Sequence, residues 1–168
     1  SEILVVADSK SDPKFVAADL LSQAEHDRNA SAVLVTDDFA FATAVSEALE
    51  RQIPMLDRRE IARKSIDDNG KIIVAEDLTV AIDVANQLAP EHLELMVDDP
   101  FAYLPEIKNA GSIFMGKHCP EALGDYFAGP NHTLPTSGTA RFSSPLSVDD
   151  FVKKTEYTYY TKDDLLKV

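Results

Sequence analysis

Near the start of the chain, two side chains of kinds that bind metals are spaced as they would be on one helix face. Gln23 and His26 lie three residues apart in LLSQAEHD, so a helix would place both on the same face. There, an amide oxygen and an imidazole can ligate one metal ion. A histidine at the C-terminus of a helix, close to the last carbonyl groups, explains the same pattern. Spacing alone favours that structural interpretation.

A glutamate and a histidine follow a helix-breaking proline in Pro90-Glu91-His92. Adjacent residues cannot share a face of a helix or strand, but at a chain break both side chains can turn into one cleft. A carboxylate and an imidazole placed there can activate water and transfer protons near neutral pH. An ordinary surface pair at a helix end remains the alternative, because the dipeptide by itself is common.

Two further candidates lie in the glycine-containing stretch GDYFAGPNH. Asp125 is a good oxygen ligand for zinc, and His132 adds an imidazole, so the pair gives a mixed oxygen and nitrogen donor set. The alternatives are a turn aspartate and a loop histidine. His118 has no comparable context and is assigned to the surface. Cys119 is the single cysteine, which excludes both a cysteine-rich zinc site and an intramolecular disulfide.

The elements that must position these residues alternate between strands and helices. Short apolar runs predict strands at residues 3–7, 32–36, 71–75, 93–97 and 112–115. Between them, apolar stripes at helical spacing predict helices, with N-caps at Asp12 and Asp38. This alternation predicts right-handed crossovers and a three-layer α/β/α fold, Rossmann-like, with a mostly parallel sheet.

The chain divides by composition into residues 1–147 and a short extension, residues 148–168. We expect the first part to be one domain that carries the zinc and substrate residues. Within it, residues 128–147 lack a regular apolar period, and a long irregular stretch in a compact domain is usually functional or mobile. The extension has a helix-like start and a tyrosine-rich, strand-like piece, typical of a tail that packs on a neighbouring domain or subunit.

Composition limits the partners and the compartment. The formal net charge of −13 repels phosphate backbones, so we expect no nucleic-acid partner. No apolar run approaches the length of a membrane span. The single cysteine fits a reducing compartment, and we expect a cytoplasmic protein. Because a core strand begins at the first residue, without a signal peptide, we also expect further sequence upstream.

Taken in order along the chain, several segments resemble the histidinol dehydrogenase family, and the resemblance spans nearly the whole chain. The segments are SEILVVAD, FVAADLLSQAEHD, APEHLEL, NAGSIF, EALGDYFAGPNHTLPTSGTARF and SVDDFVK. The resemblance implies an aldehyde-dehydrogenase-like domain of a homodimeric enzyme that depends on zinc and NAD. It also implies oxidation of L-histidinol to L-histidine in two NAD-linked steps, through an aldehyde that the enzyme holds.

The resemblance also assigns roles to residues of this chain. The implied acid–base pair is Glu91 and His92, with His92 taking the proton from the substrate hydroxyl and Glu91 activating water. The implied zinc holds the substrate and carries no redox chemistry, and a further histidine ligand comes from the partner subunit's tail. Its ligands in this chain would be Gln23, His26 and Asp125, and the implied substrate contacts are Ser1, Gln23, His26, His92, Asp125 and His132.

Two parts that the family needs, the NAD-binding domain and the C-terminal tail with the further histidine ligand, are not recognisable here. The family's NAD-binding domain lies upstream, and the scattered glycines of this chain make no dinucleotide fingerprint. We therefore expect the isolated chain to be inactive and to bind NAD poorly. The alternative function is a non-catalytic α/β module that binds a metal or another ligand. A metal-dependent hydrolase that uses Glu91 ranks last, because the sequence lacks H-E-x-x-H.

Overall fold

A five-stranded sheet forms the centre of the molecule, a computed structural model that describes residues 1–168. All strand pairs are parallel, and the order across the sheet is β3-β2-β1-β4-β5. The strands are β1 (Glu2–Ala7), β2 (Ser31–Thr36), β3 (Lys71–Val74), β4 (His92–Met96) and β5 (Ser112–Met115). The predicted strands are confirmed to within about one residue, and the sheet is wholly rather than mostly parallel.

Seven helices connect and follow the strands. They are α1 (Pro13–Ala24), α2 (Phe39–Gln52), α3 (Arg59–Asn69), α4 (Leu78–Leu88), α5 (Pro100–Tyr103), α6 (Glu121–Tyr126) and α7 (Lys162–Leu165). The two predicted N-caps are present, because Asp12 accepts a hydrogen bond from the Lys14 N–H and Asp38 accepts one from the Phe41 N–H. Ala89, the residue that follows α4, has a φ of 52° and turns the chain before Pro90.

Apolar side chains fill both sides of the sheet and create the three layers. On one side, Ile3, Val5 and Ala7 pack against α1, α2 and α3. On the other, Leu4 and Val6 pack against α4. Alternate residues of β1 therefore serve opposite cores, which explains why the strand is apolar along almost its whole length. The α/β/α prediction is confirmed.

The candidate residues lie where the strands begin, an edge called here the amino edge. Ser1 precedes β1, and Glu91 precedes β4, which His92 begins. Helix α1 connects two parallel neighbouring strands and so runs back toward this edge. The last turn of α1 holds Gln23, so its side chain also lies toward the amino edge.

Residues 128–168 contain little regular structure. The irregular stretch has a single 3₁₀ turn, Thr139–Arg141, and the extension has one at Val148–Phe151 before the short α7. The tyrosine-rich piece predicted as strand-like pairs with no strand, and its side chains are exposed. A strand forms only with a partner strand, so an extended segment that pairs with none is not a strand. None of the helices combines the length and apolar character that crossing a bilayer requires.

Candidate active site

His92 is held at the amino edge in one defined orientation. It pairs in register with Ile3 on one side and Ser112 on the other, and it is 3% exposed. Its Nδ1 lies 2.8 Å from the backbone oxygen of Glu2, and a carbonyl can only accept, so Nδ1 carries the hydrogen. In the neutral ring this leaves the Nε2 lone pair free. His92 is therefore oriented as a base through Nε2.

Three side chains meet at that nitrogen and are called here the histidine cluster: His92, Glu121 and His132. The two Nε2 atoms are 3.0 Å apart, so the His132 N–H can donate to His92. Glu121 Oε1 lies 3.5 Å from His92 Nε2 and 3.3 Å from His132 Nε2. A proton that arrives on either ring thus has a second imidazole and a carboxylate beside it. The cluster can accept, share and release a proton.

Glu91 lies at the opposite end of the His92 ring. Its Oε2 accepts a hydrogen bond from the Glu2 N–H at 3.2 Å and lies 3.9 Å from His92 Nδ1. The same oxygen is 4.0 Å from the amino group of Ser1. The structure therefore brings Ser1, Glu91, His92 and His132 together, but the carboxylate beside the basic nitrogen of His92 is that of Glu121, not that of Glu91.

The three predicted zinc ligands are not equally buried. Gln23, in the last turn of α1, is 3% exposed. His26 and Asp125 are exposed, His26 just beyond the end of α1 and Asp125 within α6. An amide oxygen, an imidazole and a carboxylate are all ligand types that divalent metal ions accept in proteins.

The histidine cluster is a second place where a cation fits by distance alone. Its three ligand atoms lie within 4.8 Å of one another. However, nitrogen atoms 3.0 Å apart would subtend about 94° at a zinc ion with ordinary bond lengths, well below the tetrahedral angle. A shared proton explains the same separation without strain. We therefore assign the cluster to proton transfer.

The carboxyl ends of the strands, where doubly wound α/β folds usually bind ligands, carry ion pairs in this chain. Lys117 Nζ lies 3.0 Å from Asp8 and 2.5 Å from Asp98, and Lys10 lies 2.6 Å from Asp98. Hydrogen bonds from the two lysines lower the pKa of Asp98 to about 2. The residues that suit chemistry lie at the other edge of the sheet.

Sequence reasoning missed Glu121 and two carboxyl groups behind it, Asp19 and Glu94. A signal was available, because Glu121 precedes Asp125 by four residues and Asp19 precedes Gln23 by four, the spacing of one helix face. Glu94 follows His92 by two residues, so both point to the same side of β4.

The fold and site together define an α/β protein with two histidines and a glutamate clustered in an arrangement suited to proton transfer. A model of the family described as histidinol dehydrogenase matches residues 1–168. The chain belongs to the histidinol dehydrogenase family, a family of oxidoreductases.

Individual relatives agree with this assignment. The histidinol dehydrogenase of Syntrophotalea carbinolica is 59% identical over 165 residues, which are 98% of this chain and 38% of the relative. That of Clostridium acetobutylicum is 55% identical over 168 residues, 100% of this chain and 39% of the relative. The crystal structure of histidinol dehydrogenase from Elizabethkingia anophelis superposes with a TM-score of 0.90 at 40% identity, covering 99% of this chain and 38% of that one. The chain therefore spans under two fifths of the length of these relatives.

Proposed function

We propose that this chain supplies the acid–base residues and the zinc-holding residues for the oxidation of L-histidinol to L-histidine, a reaction of histidine biosynthesis. One observation carries the proposal: the buried His92 has its Nδ1–H fixed on a backbone carbonyl and its basic Nε2 turned toward Glu121 and His132. This is the arrangement that proton removal from an alcohol requires. The family match over the whole chain supports L-histidinol as the substrate.

In the first oxidation, His92 Nε2 takes the proton of the substrate hydroxyl while a hydride leaves the carbinol carbon, and the alcohol becomes an aldehyde. The hydride would be taken up by NAD, the oxidant that the family implies, held by residues other than those of this chain. Glu121 stabilises the imidazolium that forms, because its carboxylate lies 3.5 Å from the protonated nitrogen. His132 lies 3.0 Å away and gives the proton a second site from which to leave.

In the second oxidation, Glu91 takes a proton from the water that adds to the aldehyde carbon. The resulting hydrate loses a hydroxyl proton to His92 and a second hydride, and a carboxylate forms. Glu91 is suited to this role because its carboxylate is 15% exposed and close to the site without contacting the basic nitrogen of His92. Both oxidations release protons, so the cluster must lose the proton that it has accepted before the second oxidation begins.

Zinc would be held by Gln23, His26 and Asp125, where it would supply a positive anchor for the substrate. Through that ion the same side chains would hold the substrate, and Ser1 and His132 would contact it directly. This division leaves His92 free of the metal. Anchoring a small amino alcohol beside a fixed base raises its effective concentration, an effect that can contribute several kcal/mol to catalysis.

NAD does not fit the residues of this chain. The turn after β1 reads Asp8-Ser9-Lys10-Ser11-Asp12, which has no glycine and carries two carboxylates that would repel a pyrophosphate. No residue here is assigned to the cofactor, and we propose that the isolated chain has no turnover. We further propose that the complete enzyme is a cytoplasmic homodimer. The extension, residues 148–168, would pack on a neighbouring domain or subunit and not on domain 1–147.

A chimera tests the function. Residues 1–168 would replace the matching segment of the Syntrophotalea carbinolica enzyme, which is 59% identical over 165 residues. We expect the chimera to oxidise L-histidinol with NAD, releasing two NADH for each histidine, and the 168-residue chain alone to release none. The readout is NADH absorbance together with chromatographic measurement of histidine. The unaltered relative is the positive control.

A folded chimera that binds zinc but oxidises no histidinol would contradict the proposal. It would favour the alternative of a non-catalytic α/β module that binds a metal or another ligand. Turnover by the isolated chain would contradict the proposed inactivity of the chain on its own. Circular dichroism and zinc content of the same preparations separate either result from misfolding.

Zinc binding distinguishes the two places where a cation could be held. We expect the 168-residue chain to bind one zinc ion in equilibrium dialysis, and His26→Ala to weaken this binding by about 10-fold or more, because one of three protein ligands is lost. Gln23→Ala should act in the same direction. His132→Ala is the matched control and should keep wild-type affinity. If His132→Ala lost zinc and His26→Ala retained it, the zinc ion would be bound by the histidine cluster instead.

A further inference from the structure

A carboxyl group is buried in the middle of the sheet, directly behind the histidine cluster. Glu94 lies at the centre of β4, between Val5 of β1 and Phe114 of β5, and is 1% exposed. Its neighbours along the strand, Leu93 and Leu95, are fully buried in the opposite core. Glutamates are almost never so deeply buried unless they are paired, so this side chain requires a physical reason.

The hydrogen bonds of Glu94 leave one oxygen without a donor. Oε1 accepts from the backbone N–H of Glu121 at 2.6 Å. Oε2 is buried and receives no hydrogen bond from any N–H or O–H group of the chain. The half-buried Asp19 of α1 is the carboxyl group that acts most strongly on Glu94, both through its charge and through a side-chain hydrogen bond. Two carboxylates repel each other, and only a proton between them makes the contact favourable.

The electrostatic surroundings favour that proton. Burial, followed by the charge of Asp19, raises the pKa of Glu94 to about 9. Burial also raises the pKa of Asp19 to about 6, and the Glu121 carboxylate adds to the shift at both groups. Besides Glu121, the ionisable groups near the pair are His92 on β4, and Lys117 and His118, which line a cavity of about 330 Å³ beside Asp19.

We propose that Asp19 and Glu94 share one proton at neutral pH, and that this neutralised pair holds the start of α6 in place and so positions Glu121 against the two histidines. Helix α6 begins after Pro120 without any side-chain cap from its own sequence. The Glu94 carboxyl replaces that cap from the neighbouring strand. A catalytic role for this pair rests on the proposed function. The shared proton and the cap of α6 are independent of it.

The direction of the pH effect follows from the raised pKa. The folded chain keeps a proton on Glu94 up to about pH 9, whereas the unfolded chain loses it near pH 4.5. The stability that this proton provides is complete below about pH 4.5 and is lost as the pH rises toward 9. At about pH 7.5, where Asp19 is ionised in both states, unfolding therefore releases about one proton from this pair.

Proton release on unfolding of the 168-residue chain tests the shared proton. We expect the slope of unfolding free energy against pH, between about pH 6.5 and 8.5, to differ by about one proton between wild type and Glu94→Gln. Glutamine keeps the oxygen that caps α6 and donates an N–H to Asp19, so this variant should fold. Glu60→Gln, on the exposed face of α3, is the matched control. Equal slopes in wild type and Glu94→Gln would overturn the shared proton.

The positioning role has separate readouts that need no substrate. In wild type, the Glu121 amide should exchange its hydrogen slowly, and the histidine ring nitrogen chemical shifts should be the same in Glu94→Gln as in wild type. Glu94→Leu removes the cap and should shift the ring signals of His92 and His132. Fast exchange of the Glu121 amide, or ring signals equally unchanged in Glu94→Leu, would overturn the positioning role. An inactive chimera with these signals intact would instead count against the proposed function.

Discussion

Replacing His92 by asparagine should lower kcat for histidinol oxidation in the chimera by about 10²-fold to 10⁴-fold, the contribution usual for a positioned general base. An asparagine amide can still donate to the Glu2 carbonyl that Nδ1–H binds at 2.8 Å, so the local backbone keeps its hydrogen bond. The basic nitrogen beside Glu121 and His132 is lost. Steady-state kinetics with saturating NAD would measure the effect, and KM for histidinol should change much less than kcat.

His118→Asn is the control for that variant. His118 is exposed and lies outside the histidine cluster, so the same substitution there should leave kcat within about two-fold of the chimera. Zinc content should be equal in the two variants, because neither histidine belongs to the proposed ligand set. A His92→Asn chimera with unchanged activity would show that His92 is not the general base. Loss of zinc in that variant would show instead that the histidine holds the metal.

Adding a single methyl group at Gly111 should destabilise the chain by about 1–3 kcal/mol, the usual cost of overpacking. A Cβ on Gly111 would lie 2.5 Å from the backbone oxygen of Glu91 and 3.2 Å from that of Pro135. Both obstructing atoms are backbone atoms and cannot rotate away. One segment that must move is Glu91, next to His92, so we expect Gly111→Ala to disturb the site as well as the fold.

Urea unfolding of the 168-residue chain measures the effect of Gly111→Ala as a lower midpoint with an unchanged slope. Ser112→Ala is the matched control, because it introduces alanine at the next position. The backbone hydrogen bond from residue 112 to the Glu91 carbonyl is kept. We expect Ser112→Ala to stay within about 0.5 kcal/mol of wild type. Equal midpoints for the two variants would show that the turn before β5 can absorb the methyl group.

Much of the fold follows from local patterns. The continuous apolar runs that predicted strands did so because a parallel sheet covered on both sides needs apolar residues on both faces, as the alternating cores of β1 show. The caps at Asp12 and Asp38 are equally local, since each side chain bonds an N–H only two or three residues away. The conformation of the tyrosine-rich piece could not be predicted this way. Strand formation depends on a partner strand, which composition cannot reveal.

For the site, the residue types and the family segments carried the information: the break at Pro90 allowed Glu91 and His92 to share a cleft, and the family resemblance predicted them as the acid–base pair. That reasoning could not show that Glu91 lies at the Nδ1 end of the ring while Glu121, about thirty positions later, lies at the Nε2 end. Side-chain spacing along a chain is informative only within one helix or strand. The Glu91–Glu121 arrangement depends on how β4 and α6 pack.

By itself the sequence determined the parallel α/β architecture, the family and the residue types available for chemistry, because all of these are set by patterns local to the chain. Only the tertiary structure decided which nitrogen of His92 is free, which carboxylate faces it, and that Glu94 is buried against Asp19. The physical reason is that protonation and hydrogen bonding depend on distances of a few ångströms between groups far apart in sequence. Those distances exist only after the sheet and the helices around it have packed.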